Sequence, residues 1–310
     1  MIASTQDISA QLAHSLEPVV GRLTHSPLGG YSDAGEPAAE PIAWATIALA
    51  RFASATASRG ASKRAADAAA AGADWLAEHQ QRDGSVGVTQ SQQRPAWTTA
   101  PAVLAWLAVD PTAYAERIVR ALWWAVSQKP WTAPKTRTFG HDTSLEGWSW
   151  AADTHSWLEP TAYFVRALHD AGWADHPRAV EGVRLLVDRL LPSGGANYGN
   201  TIVLGQELLQ HVQSSGVVAW ALHGTSGETA LSPTIRYLQE ALAEPTGLAS
   251  LGWAALGLAS NGAADERLAE RVIAAADRAA AAEGVYKPAL YAAACQALLA
   301  ALPATNGDNP

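Results

Sequence analysis

EPTAYFVRAL, residues 159–168, has a near copy in EPIAWATIAL, residues 40–49, and the fold follows from what the two share. Each opens on a glutamate and a proline and then runs on with almost no charge. Proline in a first turn gives up no helical hydrogen bond, and an acid there complements the helix dipole. A helix apolar on every side has to be buried. Four more segments have this character: WTTAPAVLAW from Trp97, QSSGVVAWAL from Gln213, EPTGLASLGW from Glu244 and KPALYAAACQ from Lys287. Beyond their first turns only Arg51 and Arg166 interrupt them.

Upstream of each lies a more charged, amphipathic segment: residues 7–23, 62–81, 112–128, 177–191, 233–243 and 265–282. Alanine-rich runs at residues 65–73 and 274–282 favour helix over strand. The sequence therefore predicts an all-α protein, an α/α toroid or (α/α)6 barrel of six inner and six outer helices. An open superhelix of helical pairs is the competing arrangement. Residues 1–310 are expected to form a single toroid domain without a linker, with 1–35 and 303–310 peripheral.

A formal net charge of -8 without clustered Lys and Arg excludes a nucleic-acid partner. Cys295, the sole cysteine, lies in the apolar run YAAACQALL and reads as a buried inert thiol, which excludes disulfides and Cys-rich metal sites. The start of the chain shows no basic segment followed by an apolar one, and no run reaches roughly 18 apolar residues. A cytoplasmic protein is the expectation, with peripheral membrane contact and oligomeric state left open.

The connections carry glycine with aromatic or small residues: QQRDGSVGV from Gln80, GWSW from Gly147 and LPSGGANYGN from Leu191. They read either as glycine stops with packing aromatics or as one rim around a ligand. Residues 129–156 form the longest connection, and long loops in helical proteins tend to be functional.

Helical pairs, QQRDGS, GGANYGN and SWLEPTAYFVRAL together resemble the prenyltransferase and squalene oxidase repeat family, from about Pro37 to Leu302. That family includes terpene and triterpene cyclases and the β subunits of protein prenyltransferases, and the resemblance implies an α/α toroid. Three signatures differ. There is no DxDD acid tetrad, the nearest segment being Asp153 to Ser156. No aspartate stands two residues before Cys295, as the zinc site of protein prenyltransferases requires. Val86 occupies the tryptophan position of the cyclases' QW motif. The resemblance implies a non-canonical relative of the class II terpene cyclases, which binds an isoprenoid in a Trp-lined cavity and cyclises it by acid catalysis.

Thirteen tryptophans against three phenylalanines suit such a cavity, because indole faces attract cations and pack on apolar polyenes. Trp44, Trp106, Trp123, Trp220 and Trp253 lie inside helices and read as core. Trp97, Trp148, Trp150 and Trp157 lie at or before inner-helix starts and, with Glu159 and Tyr198, read as cavity-lining. Asp153 is the candidate acid and His155 its orienting partner, since a neighbour that keeps an aspartic acid protonated makes it a proton donor. The plainer alternatives are that Asp153 or Ser156 caps the helix and that His155 is solvated. Glu40, Glu159 and Glu244 share one repeat position, which reads as architecture. His141, Asp142 and His211 have no metal-ligand spacing and read as solvated loop residues, so no metal and no cofactor is expected. Two other functions fit the same residues: a non-catalytic toroid that binds a lipid, peptide or partner subunit, and a carbohydrate-active α/α barrel pairing Asp153 with Glu159 or Asp142.

Overall fold

The protein, described here by a computed structural model over residues 5–302, is built from thirteen α-helices. The apolar segments form α2 (Ala39–Ala55), α4 (Thr99–Val109), α6 (Leu158–Asp170), α8 (Val212–Leu222), α10 (Leu248–Ser260) and α13 (Tyr286–Ala301). The amphipathic segments form α1 (Thr5–His25), α3 (Arg59–Glu78), α5 (Ala115–Ser127), α7 (Pro177–Asp188), α9 (Ser232–Ala241) and, as a broken pair, α11 (Glu266–Ile273) and α12 (Ala276–Ala280).

Local chemistry sets the helix ends. Pro41, Pro101, Pro160 and Pro288 all stand third in their helices, within the first turn where an amide has no helical partner. Ser58 caps α3 by accepting the Ala61 amide, and Asp265 caps α11 by accepting that of Leu268. In α2 every residue from Ala39 to Leu49 is buried, whereas in α5 the buried set is the one stripe Ile118, Ala121, Leu122 and Ala125.

Packing runs from α2 to α4, α6, α8, α10 and α13, and α13 packs on α2. The amphipathic helices pack on these apolar ones; α3 packs on α2 and α4, and α7 on α6 and α8. Two glycines set the closest approach. A side chain on Gly216 of α8 would meet the backbone of Trp253, and one on Gly257 of α10 would meet that of Gly216, so the two helices touch main chain to main chain.

Two expectations are corrected. Residues 5–25 are not peripheral: α1 buries Ile8, Leu12, Leu16, Val19, Val20 and Leu23 against α3, α11 and α13. Arg22 also donates to the carbonyls of Ala280, Ala282 and Gly284, tying the first helix to the last repeat. Residues 303–310 lie outside the described residues. Glu244 does not share the position of Glu40 and Glu159, because α9 runs into a turn and α10 begins only at Leu248, after Gly247. A small antiparallel hairpin, β1 (Ile202–Val203) and β2 (Gln206–Glu207), interrupts the helical pattern. Its turn residues Leu204 and Gly205 both have positive φ, 52° and 79°, as a two-residue hairpin of primed type requires.

Candidate functional site

Glu40 and Glu159 are each the second residue of an inner helix, and both are buried. The Glu40 carboxyl accepts hydrogen bonds from the hydroxyls of Tyr31 at 2.6 Å and Tyr163 at 2.8 Å. Glu159 accepts from Ser214 Oγ at 2.8 Å. Burial raises the Glu40 pKa to about 7, against the pull of its two tyrosine donors, with the Glu159 charge adding to the rise. Burial likewise pushes Glu159 up. Glu40 is thus an acid poised near neutrality.

Aromatic rings enclose this acid. Trp253 sends its indole N–H to the Tyr286 hydroxyl at 3.2 Å and packs on Tyr163, with ring centroids 5.7 Å apart. Trp97 stacks on Tyr163 at 5.8 Å, and Trp150 meets Trp97 edge-on at 4.7 Å. One helical turn beyond Glu40, Trp44 packs against Trp253 at 4.9 Å and Trp220 at 5.7 Å, and Trp220 packs against Trp253 at 5.4 Å. Three mutually packed indoles therefore lie beyond the acid, toward the C-terminal halves of the inner helices.

On the far side of those indoles is a cavity of about 600 Å³. All six apolar helices line it, through Trp44, Leu104, Arg166, Trp220, Leu256 and Ala297. Arg166 is held in a two-pronged ion pair with Asp170, at 2.6 and 2.9 Å, and lies over the Trp220 ring at 5.9 Å. Arg51, exposed to solvent at its end, reaches the same cavity. The Trp44 indole N–H is buried without a hydrogen-bond partner. A larger open groove of about 860 Å³ lies between α1, α2 and α3, away from the meeting point of the inner helices.

The loop residues singled out from the sequence divide into two groups. Trp97, Trp148, Trp150 and Asp153 line one cavity of about 350 Å³, together with Asp83, Gln93 and Lys129. His155, Trp157, Glu159 and Tyr198 lie outside it. Asp153 is exposed, in left-handed backbone with φ 61°. His155 is exposed and packs on Trp157 at 4.5 Å, with its pKa lowered by partial burial and by the Arg189 charge. No hydrogen bond joins Asp153 to His155, and neither caps α6, whose N-cap residue Trp157 makes no side-chain cap bond. Trp148 is a packing residue as much as a lining one: its N–H donates to the Ala125 carbonyl and its ring stacks on Phe164. Tyr198 is exposed and meets His211 edge-on.

Several bland expectations change too. His141 is buried rather than solvated, with Nδ1 3.3 Å from Thr201 Oγ1, and burial beside Arg189 lowers its pKa to about 4. Trp123 is 59% exposed and is not core. Trp44 and Trp220 serve both as core and as cavity wall. Cys295 is fully buried, and burial raises its thiol to about 12. Among the described residues no group of three or more His, Cys, Asp or Glu is placed to hold a metal, and no helix is long and apolar enough to cross a membrane.

The QQRDGS and GGANYGN connections act as structural staples. Asp83 accepts from the amide and hydroxyl of Ser85, while Gln80 donates to the carbonyls of Gly84 and Arg117. Asn197 accepts from the amides of Gly199 and Asn200. The sequence signals that lead to this cavity are Arg51 and Arg166, the two arginines beyond the first turns of the apolar helices.

No protein-family model matches the chain, and no curated protein matches it. A crystal structure of a protein from Actinoplanes aligns with a TM-score of 0.60 at 14% identity, over 94% of this chain and 99% of its own. At that identity the likeness speaks for a shared helical fold alone, and the resemblance to the prenyltransferase repeat family rests on the residues quoted above.

Proposed function

We propose that the chain is an α/α toroid that binds a linear isoprenoid, or a comparable apolar molecule, in its central cavity. The toroid is supported by inner-helix packing that returns from α13 to α2, and by Arg22, which ties the first repeat to the last. The observation that carries the ligand is the cavity itself: all six inner helices contribute to it, and Trp44, Trp220, Leu104 and Leu256 supply apolar wall. Its volume falls in the range of small-molecule sites, whose walls are mostly apolar with a few placed polar groups.

A second reading adds chemistry. Glu40, at a pKa of about 7, is a general acid of suitable strength, and the indoles of Trp44, Trp220 and Trp253 would stabilise a cation formed beside them. The indole layer stands between this carboxyl and the cavity, which favours binding over turnover. Both readings are tested by incubating the protein with isoprenoid alcohols of 15, 20 and 30 carbons, followed by native mass spectrometry and chromatography of extracted products. A one-to-one complex with at least one chain length is expected. The absence of any complex would overturn the binding reading. Conversion that disappears in Glu40→Gln would establish the second.

A further inference from the structure

Polar groups on the central cavity are almost all donors or already paired. Arg166 is neutralised by its two-pronged contact with Asp170 and also donates to the His223 carbonyl at 3.2 Å. The His223 ring lies 3.0 Å from Glu228. Ser54 Oγ is committed to the Arg51 carbonyl. Three donors are left over: the Trp44 indole N–H, buried and unpartnered, the Ser260 hydroxyl, and the Arg51 guanidinium at the mouth, which has no hydrogen bond or ion pair to another described residue. Counting Arg51 and Arg166 against Asp170, the cavity carries one net positive charge.

We propose, resting on the reading of this cavity as a ligand site, that its ligand is an apolar acid bearing a single carboxylate, with the head on Arg51 and the body over Trp44 and Trp220. A guanidinium presents two parallel N–H groups that match a carboxylate, and it lies where the apolar wall meets solvent. One carboxylate balances the single uncompensated charge. A diphosphate, with several charges, would leave an excess beside Asp170 and the C-terminal carbonyls of the surrounding helices, which repel anions. The same cation borders a second groove of about 590 Å³ between α1, α2 and α13, lined by Leu16, Phe52 and Leu299 with Glu17 beside them.

Calorimetric titration of the full chain with four probes tests the assignment: a 15-carbon isoprenoid acid, the alcohol and the diphosphate ester of the same chain, and a straight-chain 16-carbon acid. The isoprenoid acid is expected to bind at least tenfold tighter than its alcohol or its diphosphate. Arg51→Gln should bring acid binding down to the level of the alcohol measured on the same variant, and Arg51→Lys should restore part of the difference. The straight-chain acid binding as tightly as the isoprenoid acid would keep the carboxylate assignment and identify the body as generic lipid. An alcohol that binds as well as the acid, a diphosphate that binds more tightly, or an acid preference that survives Arg51→Gln would overturn the proposal while leaving the apolar site standing. Failure of all four probes would overturn the cavity reading itself. The comparison of acid with alcohol needs no variant and stands even if Arg51→Gln does not fold.

Discussion

Trp253→Ala is expected to lower stability by about 3–5 kcal/mol, the range for truncating a large buried aromatic when the surroundings relax only in part. Trp253 is fully buried, touches Trp44, Trp220 and Tyr163 ring to ring, and donates to Tyr286. Its removal empties the place where α2, α6, α8 and α13 meet and leaves the Tyr286 hydroxyl short of a donor. The control is Trp123→Ala on the amphipathic helix α5. Trp123 is 59% exposed and keeps one edge-on ring contact, with Trp173 at 5.1 Å, so its truncation is expected to cost about 0.5–1.5 kcal/mol. Guanidinium chloride unfolding of the three proteins measures both. Equal losses for the two variants would show that the aromatic centre is not packed as described.

The second large effect concerns pH. Glu40 has a folded-state pKa of about 7 against an ordinary value of 4.5, so the folded protein holds this proton more tightly than the unfolded chain. The resulting stability is fully present below pH about 4.5 and is lost as the pH rises to about 7, beyond which it stays lost. At about 1.4 kcal/mol per pKa unit, the shift corresponds to about 3 kcal/mol. Relative to Glu40→Gln, wild-type stability should therefore fall by about that amount between pH 4.5 and 7.5. His141, lowered to about 4, works in the opposite direction: its contribution is present above pH 6.5 and is lost as the pH falls toward 4. Only the difference between wild type and variant isolates Glu40. Parallel curves for the two proteins across this window would mean that the carboxyl titrates normally.

The helical pairs were legible because burial leaves a local mark. A segment enclosed on every side carries no charge, so the six inner helices stand out in EPIAWATIAL and its counterparts. Errors arose where a local pattern had two structural meanings. Glu244-Pro245 looks like Glu40-Pro41, but Thr246 and Gly247 follow it and the chain turns before α10 begins. Trp123 sits in a helical run as Trp44 does, yet on the solvent side of an amphipathic helix, a difference of face and not of composition.

The long connection between α5 and α6 was harder because its shape is fixed from elsewhere. Arg178 on α7 donates to the carbonyls of Gln128, Glu146 and Gly147 and lies over the Trp148 ring at 4.6 Å. Arg189 donates to Gly199 and Asp142. These contacts span tens of residues and leave no trace in local spacing, so the sequence could not show that His141 is buried or that Asp153 and His155 stand apart. The same limit applies to Glu40. A glutamate beside a proline at a helix start reads as dipole chemistry, and only the fold brings Tyr31 and Tyr163 to its two oxygens.

On the proposed function, an apolar ligand rests on Trp44 and Trp220, in the cavity lined by the C-terminal halves of the six apolar helices. A bromine-tagged isoprenoid alcohol quenches only the indoles it touches, which makes tryptophan fluorescence the direct measurement. A saturable quench in the wild-type protein, largely abolished in the double variant Trp44→Phe, Trp220→Phe while calorimetry still detects binding, is the result the account predicts. A quench of unchanged size in the double variant would place the ligand elsewhere, with Trp97, Trp148 and Trp150 as the next indoles to replace, and would contradict the account.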